Sequence, residues 1–381
     1  MKLRNYDVVI VGAGVFGIWS ASKLHNAGKR VAVVDFGGPA HVLASSGGES
    51  RVTRCSYGED ETYTEWAFRS ISDWQAISAK TTTPIFHQVG VLRLHKENDE
   101  SIKTSKRLLA QYDIPFTTLS PSKLRDQFPV MQVRDDEAGF FEPQGGALMA
   151  KRSVQLLAAN LAESGVTFLS GLVSPISIQQ GHQGVLPSVE TVDGQQLKAE
   201  QFVFACGPWL DQVCPDAMSG RLFITRQEVF FFATDVDTAG ALPVWSDLPF
   251  YGFPSFEGRG FKVANDTHGH FINPDTEDRN ASKKGEADAR AYLHNRFPEF
   301  ADAPLSETRV CQYENSSDGH FLMDRHPGFE NVWLVGCGSG HGFKHGPAVG
   351  DHVLNLINRT SEPQEPFLLG SKGLQQDRIV L

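Results

Sequence analysis

The chain has 381 residues, 40% hydrophobic and 21% charged, so it can form a large buried core and two or three domains. Its 45 acidic residues outnumber its 35 basic residues, and a formal net charge of -10 argues against nucleic acid or an anionic membrane as a partner. The five cysteines are odd in number, widely spaced and form no CxxC pair, so they suggest neither a disulfide framework nor a zinc site. With no signal-peptide pattern and no apolar run of about 18 residues, we expect a cytoplasmic protein.

The first predicted element is a strand–turn–helix unit typical of dinucleotide binding. A buried strand over residues 7–11 leads into Gly12-Ala13-Gly14-Val15-Phe16-Gly17 and a helix, and a second strand over 30–34 ends at Asp35. The first glycine permits the sharp turn, the second admits a pyrophosphate, and the third lets helix and strand pack closely. The helix N-terminus would hold the phosphates and Asp35 the ribose 2′-OH. This pattern alone does not distinguish FAD from NAD.

Further elements follow in chain order. The segment from Ser45 and Ser46 to Arg51 and Arg54 is basic and rich in hydroxyls, and either a solvated loop or part of a site fits it. Periodicity predicts helices over 63–77, 101–112 and 153–164, strands over 89–94 and 166–169, and a buried strand over 201–206 that ends in a tight turn.

The C-terminal half contains two distinct patterns. Strand-like alternation at 222–225, 229–233, 250–253 and 261–263 predicts an antiparallel sheet, which is a natural wall for a substrate cavity. A strand over 332–335 then enters a second glycine-rich turn over 336–344, followed by a helix over 347–357. Such a turn would bring further backbone N–H groups and a helix N-terminus against a cofactor.

These elements predict an α/β protein with a discontinuous domain arrangement. We expect residues 1–80, 145–215 and 310–370 to form a Rossmann-like nucleotide-binding domain. Residues 81–144 and 216–309 would form a substrate domain on a mixed or antiparallel sheet.

Several motifs resemble one known family when taken together in order. They are Gly12–Gly17, Ser50-Arg51-Val52-Thr53-Arg54 with Tyr57-Gly58-Glu59, Tyr251-Gly252-Phe253-Pro254, Gly260-Phe261-Lys262, Cys311-Gln312-Tyr313, Gly319-His320-Phe321-Leu322-Met323-Asp324 and Ser339-Gly340-His341-Gly342-Phe343-Lys344. Across nearly the whole chain these segments resemble the monomeric sarcosine oxidase and N-methyltryptophan oxidase group of flavoproteins. The resemblance implies FAD rather than NAD, and a glycine/D-amino acid oxidase-like fold.

The resemblance also implies roles for individual residues. Cys311 matches a cysteine bonded covalently to the flavin 8α carbon, although a buried core thiol is the plain alternative. Arg54 and Lys344 match residues that hold the substrate carboxylate, and Lys262 matches a lysine at the site of oxygen reduction. For these three side chains the alternative is an ordinary solvent-facing cation. The remaining implied cofactor-binding residues are Gly12, Gly14, Phe16, Gly17, Asp35, Ser45, Ser46, Arg51, Gly338, Gly340, His341, Gly342, Phe343 and Lys344.

The expected substrate cavity departs from the sarcosine-type pattern. Tyr251 and Tyr313 match side chains that line it, although ordinary sheet aromatics would give the same pattern. Asp266 stands where those members have a histidine, and a second histidine is absent near Gly47. We therefore expect a larger pocket at Gly47, and at Asp266 an acid that holds a cationic or hydroxylated substrate group. Fructosyl amino acids, larger N-methyl amino acids and cyclic imino acids remain open beside sarcosine.

The implied reaction is hydride transfer from a carbon next to nitrogen to flavin N5, followed by reoxidation by O2 to hydrogen peroxide. The first alternative is a dehydrogenase of the same fold with another electron acceptor, and the second is a flavin-binding protein without turnover. The expected partners are a small amine or amino acid and O2, with neither nucleic acid nor membrane. A monomer or weak homo-oligomer follows only from the resemblance.

Overall fold

The computed structural model describes residues 5–96, 98–180, 184–234, 238 and 240–376. Its strands are β1 (Asn5–Val11), β2 (Val31–Asp35), β3 (Arg51–Thr53), β4 (Phe86–His87), β5 (Val91–Lys96), β6 (Thr117–Leu119), β7 (Glu137–Glu142), β8 (Gly146–Leu148), β9 (Thr167–Ser170), β10 (Val189–Glu190), β11 (Gln196–Phe204), β12 (Phe223–Phe232), β13 (Val244–Asp247), β14 (Phe250–Phe253), β15 (Phe261–Asn265), β16 (Leu305–Asn315), β17 (Leu322–Arg325) and β18 (Val332–Gly336). Its helices are α1 (Val15–Asn26), α2 (Glu61–Ser78), α3 (Glu100–Gln111), α4 (Pro121–Gln127), α5 (Ala150–Ser164), α6 (Leu210–Val213), α7 (Pro215–Met218), α8 (Lys283–Arg296) and α9 (Gly346–Ile357).

The first sheet has the order β17-β18-β11-β1-β2-β9, and β10 pairs with β11 at its side. The pairs between β18, β11, β1, β2 and β9 are parallel, whereas β17–β18 is antiparallel. Val8, Val9 and Ile10 are at most 1% exposed, because helices and loops cover both faces of the central strands. The carboxyl ends of β1, β2, β11 and β18 therefore open on one edge, where the glycine-rich turns follow.

The second sheet has the order β16-β12-β15-β14-β13-β5-β7-β6. All neighbours are antiparallel except the parallel pair β13–β5. Helix α8 packs on one face through Ala289 and Leu293, which share a core with Trp245 and Phe261. The opposite face of β12, β15 and β16 is thereby directed towards the first sheet. The remaining strands form a small sheet, β3-β8-β4.

The predicted fold class is confirmed, since the described chain combines a mainly parallel sheet covered by helices with a mainly antiparallel one. Two expected strands at 222–225 and 229–233 form the single strand β12. The polar residues Arg226, Gln227 and Glu228 interrupt the apolar alternation, yet they stay in the ladder because side chains and carbonyls satisfy them. Along the described residues no helix is both long and apolar enough to cross a bilayer.

Sheet membership also shows how the two expected domains are connected. Strand β16 pairs with β12 over Leu305–Asn315, and thus it runs across the boundary expected at residue 310. The hydroxyl-rich segment is no solvated loop, because Ser46 and Ser50 are 6% exposed and Arg51–Thr53 forms β3. Both features bring the second sheet against the glycine-rich edge of the first.

Candidate active site

A long cavity follows the carboxyl edge of the first sheet, and the first glycine turn forms part of its wall. Gly12 has a φ of +106°, and a Cβ there would lie 2.2 Å from the carbonyl oxygen of Ala205. A Cβ at Gly17 would lie 2.0 Å from the carbonyl oxygen of Gly12. At Gly14 the nearest atom would be the Ser46 Oγ at 3.6 Å, which leaves open space on the cavity side. The first and third glycines are thus required by packing, and the second faces the cavity.

Polar groups around this turn are suited to a dinucleotide. The Asp35 carboxylate accepts hydrogen bonds from the amides of Ala13 and Gly37, both at 2.8 Å, and it lines the cavity. The Val15 amide donates to Ser46 Oγ at 3.1 Å. The Phe16 amide belongs to the first turn of α1, where backbone N–H groups have no intrahelical acceptor. An acid for a ribose and N–H donors for phosphates therefore share one wall.

The second glycine turn closes the cavity from the side of β16. A Cβ at Gly338 would lie 2.9 Å from Glu314 Oε1, and one at Gly340 would lie 2.9 Å from the Tyr313 ring. At Gly342 a Cβ would lie 2.8 Å from Phe16 Cζ. The two turns and β16 are thus in contact along the cavity, and side chains at these glycines would break the contact.

Arg51 and Ser45 connect the hydroxyl-rich segment to this wall. The Arg51 guanidinium donates to the carbonyls of Ser45 at 2.6 Å and Ser50 at 2.9 Å. Ser45 Oγ donates to Glu314 Oε2 at 2.7 Å, and burial raises the pKa of Glu314. Arg51 lines the cavity, so its positive charge lies close to any ring system bound there. Glycine cradle, acid and N–H donors together fit the ADP half of FAD.

Lys262 is a buried cation on β15. It is 2% exposed, donates to the carbonyl of Ser50 at 3.0 Å, and lies 4.5 Å from the centre of the Phe253 ring. Burial, followed by the nearby Arg51, lowers the pKa of Lys262 to about 7. The alternative of a solvent-facing lysine at this position is therefore excluded. Cys311, on β16, is partly buried beside Tyr251 and belongs to the electrostatic surroundings of Lys262.

A second buried cation, Lys344, follows the second glycine turn. Its ammonium donates to Tyr57 Oη at 2.7 Å and to the His341 carbonyl at 3.2 Å, and the residue is 5% exposed. Burial and the neighbouring Arg54 lower the pKa of Lys344 well below its usual value. The Arg54 guanidinium lies 4.8 Å from the centre of the Tyr57 ring, and the Lys344 ammonium lies 5.2 Å from it. The structure therefore brings together the two cations that the sequence predicted for a carboxylate.

The segment that carries Arg54 is fixed by a buried acid. Glu142, at the end of β7, accepts hydrogen bonds from the amides of Cys55 and Ser56 at 2.6 and 3.1 Å. Ser56 Oγ donates to the same carboxylate at 2.5 Å, and Arg54 Nη1 reaches Ser56 Oγ at 3.5 Å. Glu142 is 3% exposed. It thus holds the backbone that directs Arg54 without being a candidate ligand itself.

An acid and two tyrosines lie opposite these cations. Tyr313 donates to Asp266 Oδ1 at 2.8 Å, and Tyr251 is hydrogen-bonded to Tyr313. Burial raises the pKa of Asp266, while Tyr313, Arg54 and Lys344 act in the opposite direction. Arg54, Lys344 and Asp266 are therefore electrostatic neighbours.

The geometry differs from expectation at Gly47 and at the side chain of His341. A Cβ at Gly47 would lie 2.1 Å from the carbonyl oxygen of His41, so the expected gain of pocket space at Gly47 is wrong. The His341 imidazole packs on the rings of Tyr63 and Phe321, and Nε2 reaches the carbonyl of Gly319 at 3.1 Å. Its backbone belongs to the glycine turn, whereas its side chain supports the wall behind Lys344.

Sequence reasoning assigned no role to Tyr57, His345, Glu142 or Glu314. Glu142 is 86 residues from Ser56, and only the pairing of the strands brings the two together. Tyr57 lies in one of the quoted motifs, and His345 directly follows Lys344. Their adjacency to predicted site residues was the available signal, but it does not reveal which way a side chain points.

Comparison with known proteins agrees with this geometry. A family model described as FAD dependent oxidoreductase matches residues 7–356. The monomeric sarcosine oxidase of Bacillus sp. (strain B-0618) is 27% identical over 98% of this chain and 97% of its own length. The N-methyl-L-tryptophan oxidase of Yersinia pestis is 28% identical over 91% of this chain and 93% of its own. The resemblance stated from the motifs is confirmed.

Solved structures of low sequence identity share the fold. L-proline dehydrogenase from P. horikoshii superimposes with a TM-score of 0.83 at 19% identity, covering 96% of both chains. Fructosamine oxidase (Amadoriase II) from Aspergillus fumigatus gives a TM-score of 0.81 at 22% identity, covering 96% of this chain and 89% of its own.

The glycine turn yields a paired prediction. Gly17→Ala should lower the free energy of unfolding of the apoprotein by about 3 kcal/mol or more, because its methyl group meets backbone. Gly14→Ala should change it by less than about 1 kcal/mol, yet reduce flavin uptake, because its methyl group enters the cavity. Urea unfolding of protein from riboflavin-starved cells and FAD titration measure the two effects. Full uptake of FAD by Gly14→Ala would show that no phosphate approaches this backbone.

Proposed function

Because the chain belongs to the FAD-dependent oxidoreductase family, we propose that it oxidises the C–H bond next to the nitrogen of a secondary or N-substituted amino acid and returns the electrons to O2. The observation that carries this proposal is the pair of cations Arg54 and Lys344, which lie against the ring of Tyr57. A planar guanidinium and an ammonium at such a position suit a carboxylate.

The substrate carboxylate would bind between Arg54 and Lys344. Both cations are drawn from water, and Lys344 has a lowered pKa because of burial and the charge of Arg54. An arriving carboxylate favours the ammonium form of Lys344, so binding would be accompanied by proton uptake wherever that lysine starts neutral. The bound carboxylate would thus fix one end of the substrate, and it would thereby determine how far the nitrogen extends into the cavity.

Asp266 and Tyr313 would bind the substrate nitrogen or the group attached to it. The carboxyl group of Asp266 accepts one hydrogen bond, from Tyr313, and burial raises its pKa. It is therefore suited to hold an ammonium, take its proton before the oxidation, or accept a hydrogen bond from a hydroxyl group. N-methyl, cyclic imino and fructosyl amino acids all have a group of this kind.

FAD would supply the two-electron chemistry, accepting hydride from the substrate carbon and passing the electrons to O2. The protein holds the amine nitrogen deprotonated and excludes bulk water, and the imine product would be hydrolysed after release. Lys262 would place a positive charge where negative charge develops during oxygen reduction. Cys311, on β16 close to Lys262 and Tyr251, is the residue we propose for covalent attachment of the cofactor.

Substrate class is tested by mixing the protein anaerobically with N-methyl, cyclic imino and fructosyl amino acids. We expect one class to bleach the flavin absorbance, and the matching carboxamide, which lacks the carboxylate, to react about 100-fold less efficiently. Peroxide release in air then separates an oxidase from a dehydrogenase. Reduction by amines with slow reoxidation in air would favour the dehydrogenase, and no bleaching by any amine would contradict turnover altogether.

Covalent attachment is tested by acid precipitation. The yellow colour should pellet with the wild-type polypeptide and stay in solution for Cys311→Ala. Cys206→Ala is the matched control, since Cys206 lines the cofactor cavity and its replacement should leave the colour in the pellet. Colour in the wild-type supernatant would mean a non-covalent flavin.

The role of Lys262 is tested by the separate rates of the two half-reactions. Lys262→Met should slow reoxidation by O2 by about 100-fold, since one charge that stabilises the transition state is lost, and should change reduction by substrate much less. In the wild type, reoxidation should slow as pH rises through about 7, where the Lys262 ammonium loses its proton; in Lys262→Met this dependence should vanish. Equal losses in both half-reactions would contradict the assignment.

A further inference from the structure

Behind the proposed carboxylate site lies a buried chain of hydrogen bonds. Tyr57 Oη accepts from Lys344 Nζ at 2.7 Å and lies 2.8 Å from His345 Nε2. Tyr57 is 6% exposed, Lys344 is 5% exposed and His345 is 0% exposed. The carboxylate site needs Arg54 and Lys344, but it does not by itself require a histidine here.

We propose that His345 is a positioning residue that acts through the Tyr57 hydroxyl to hold Lys344 in its charged, substrate-binding form. This inference rests on the proposed function, in that Lys344 is taken to bind the substrate carboxylate. His345, Tyr57 and Lys344 thus form a relay of three side chains that together recognise the carboxylate.

The relay requires one direction for its two hydrogen bonds: Tyr57 Oη accepts from Lys344 Nζ and donates to His345 Nε2. An ammonium has three N–H donors and no acceptor, so Tyr57 Oη accepts from a charged Lys344. The hydroxyl then has its own proton to donate, and His345 Nε2 at 2.8 Å is a nearer acceptor than His341 Nδ1 at 3.4 Å. His341 Nε2 is directed to the Gly319 carbonyl. A hydroxyl that donates to an imidazole becomes a better acceptor, which strengthens its bond to the ammonium.

The protonation state of His345 agrees with its role as acceptor. Burial, followed by the charge of Lys344, lowers the pKa of His345 well below its usual value. The neutral ring has one acceptor nitrogen, and with the proton on Nδ1 this is Nε2. Within the described part of the chain, Nδ1 is buried without a partner. The rings of Tyr57, Tyr63 and Phe321 enclose the imidazole, which restricts its orientation.

The geometry also leaves Lys344 one donor for a ligand. Two of its N–H groups are directed to Tyr57 Oη and the His341 carbonyl. The backbone is held from behind, because Trp74 Nε1 donates to the Lys344 carbonyl at 2.8 Å. The third N–H can therefore be directed to a carboxylate. The charged and titratable groups that surround this ammonium are Arg54, Cys55 and Tyr57 from one segment, Glu142 from β7, Asp266 after β15, and His341 and His345 from its own turn.

The test uses the flavin-loaded enzyme and methoxyacetate, an analogue of an N-methyl amino acid in which oxygen replaces nitrogen and which cannot be oxidised as an amine. Binding is followed through the flavin absorbance over a range of pH. His345→Phe keeps ring shape but removes the acceptor, Tyr57→Phe removes the bridge, and His345→Gln restores an amide oxygen in about the place of Nε2. Lys344→Met is the reference for complete loss of the ammonium.

We expect His345→Phe and Tyr57→Phe each to weaken methoxyacetate binding about threefold to tenfold, the size of one hydrogen bond. The double variant should be no weaker than the worse single variant, because both changes break the same relay. The pH above which binding weakens should move down in both single variants, since the Lys344 ammonium is less stabilised. His345→Gln should behave like wild type, and Lys344→Met should bind weakly at every pH.

Each alternative result has a separate meaning. Weak binding by Lys344→Met together with wild-type affinity and pH dependence in His345→Phe would overturn the relay but leave the carboxylate site standing. Wild-type binding by Lys344→Met would instead overturn the carboxylate site of the proposed function. Additive losses in the double variant would show that Tyr57 and His345 act independently. If His345→Phe fails to fold, unchanged binding and pH dependence in Tyr57→Phe overturn the relay.

Discussion

The burial of two lysines, Lys262 and Lys344, is the constraint on which the active site depends. A cation drawn out of water costs several kcal/mol in free energy unless other groups compensate for the lost hydration. Within the part of the chain that the structure describes, both ammonium groups are held by carbonyl or hydroxyl oxygens rather than by a carboxylate. Each is therefore only partly compensated in the free protein. Under the proposed function, anionic groups of a cofactor, a substrate or reduced oxygen would supply the remaining compensation, and this would give the site its affinity for them.

The second sheet holds Lys262 in its buried position. Strand β12 pairs with β15 on one side and with β16 on the other, so Lys262 on β15 and Cys311 on β16 belong to one sheet. The same β16 continues to Tyr313 and Glu314, against which the second glycine turn packs at Gly340 and Gly338. One continuous strand thus connects Cys311 with the residues against which the second glycine turn packs. This is why the boundary expected at residue 310 does not coincide with a break in the sheet.

Local pattern predicted many of the elements, including both glycine turns, but neither helix α8 nor strand β16. The β-branched runs of β1, β2 and β18 and the glycines after them are contiguous in sequence, so spacing alone predicts their geometry. Lys262, Arg54 and Lys344 came from motif resemblance, and the structure buries both lysines and places Arg54 and Lys344 against one tyrosine ring. Glu142 and Glu314 were beyond such reasoning, because each acts on a segment far away in sequence through strand pairing. Gly47 was misjudged because a missing side chain was taken for open space, whereas the backbone of His41 fills that space.

Charge balance explains why an acid fits at position 266. In the free site burial raises the pKa of Asp266 and lowers that of Lys344, so burial disfavours the charged form of both groups. Under the proposed function, a zwitterionic amino acid would bring a carboxylate to Arg54 and Lys344 and an ammonium towards Asp266, so that both of its ends gain a partner. An imidazole in place of Asp266 would become positively charged when it accepted a proton from the amine. That charge would lie beside the positive charges of Arg54 and Lys344. Under the proposed function, Asp266 would accept the same proton by becoming neutral, and the amine would be left with the lone pair that its oxidation requires.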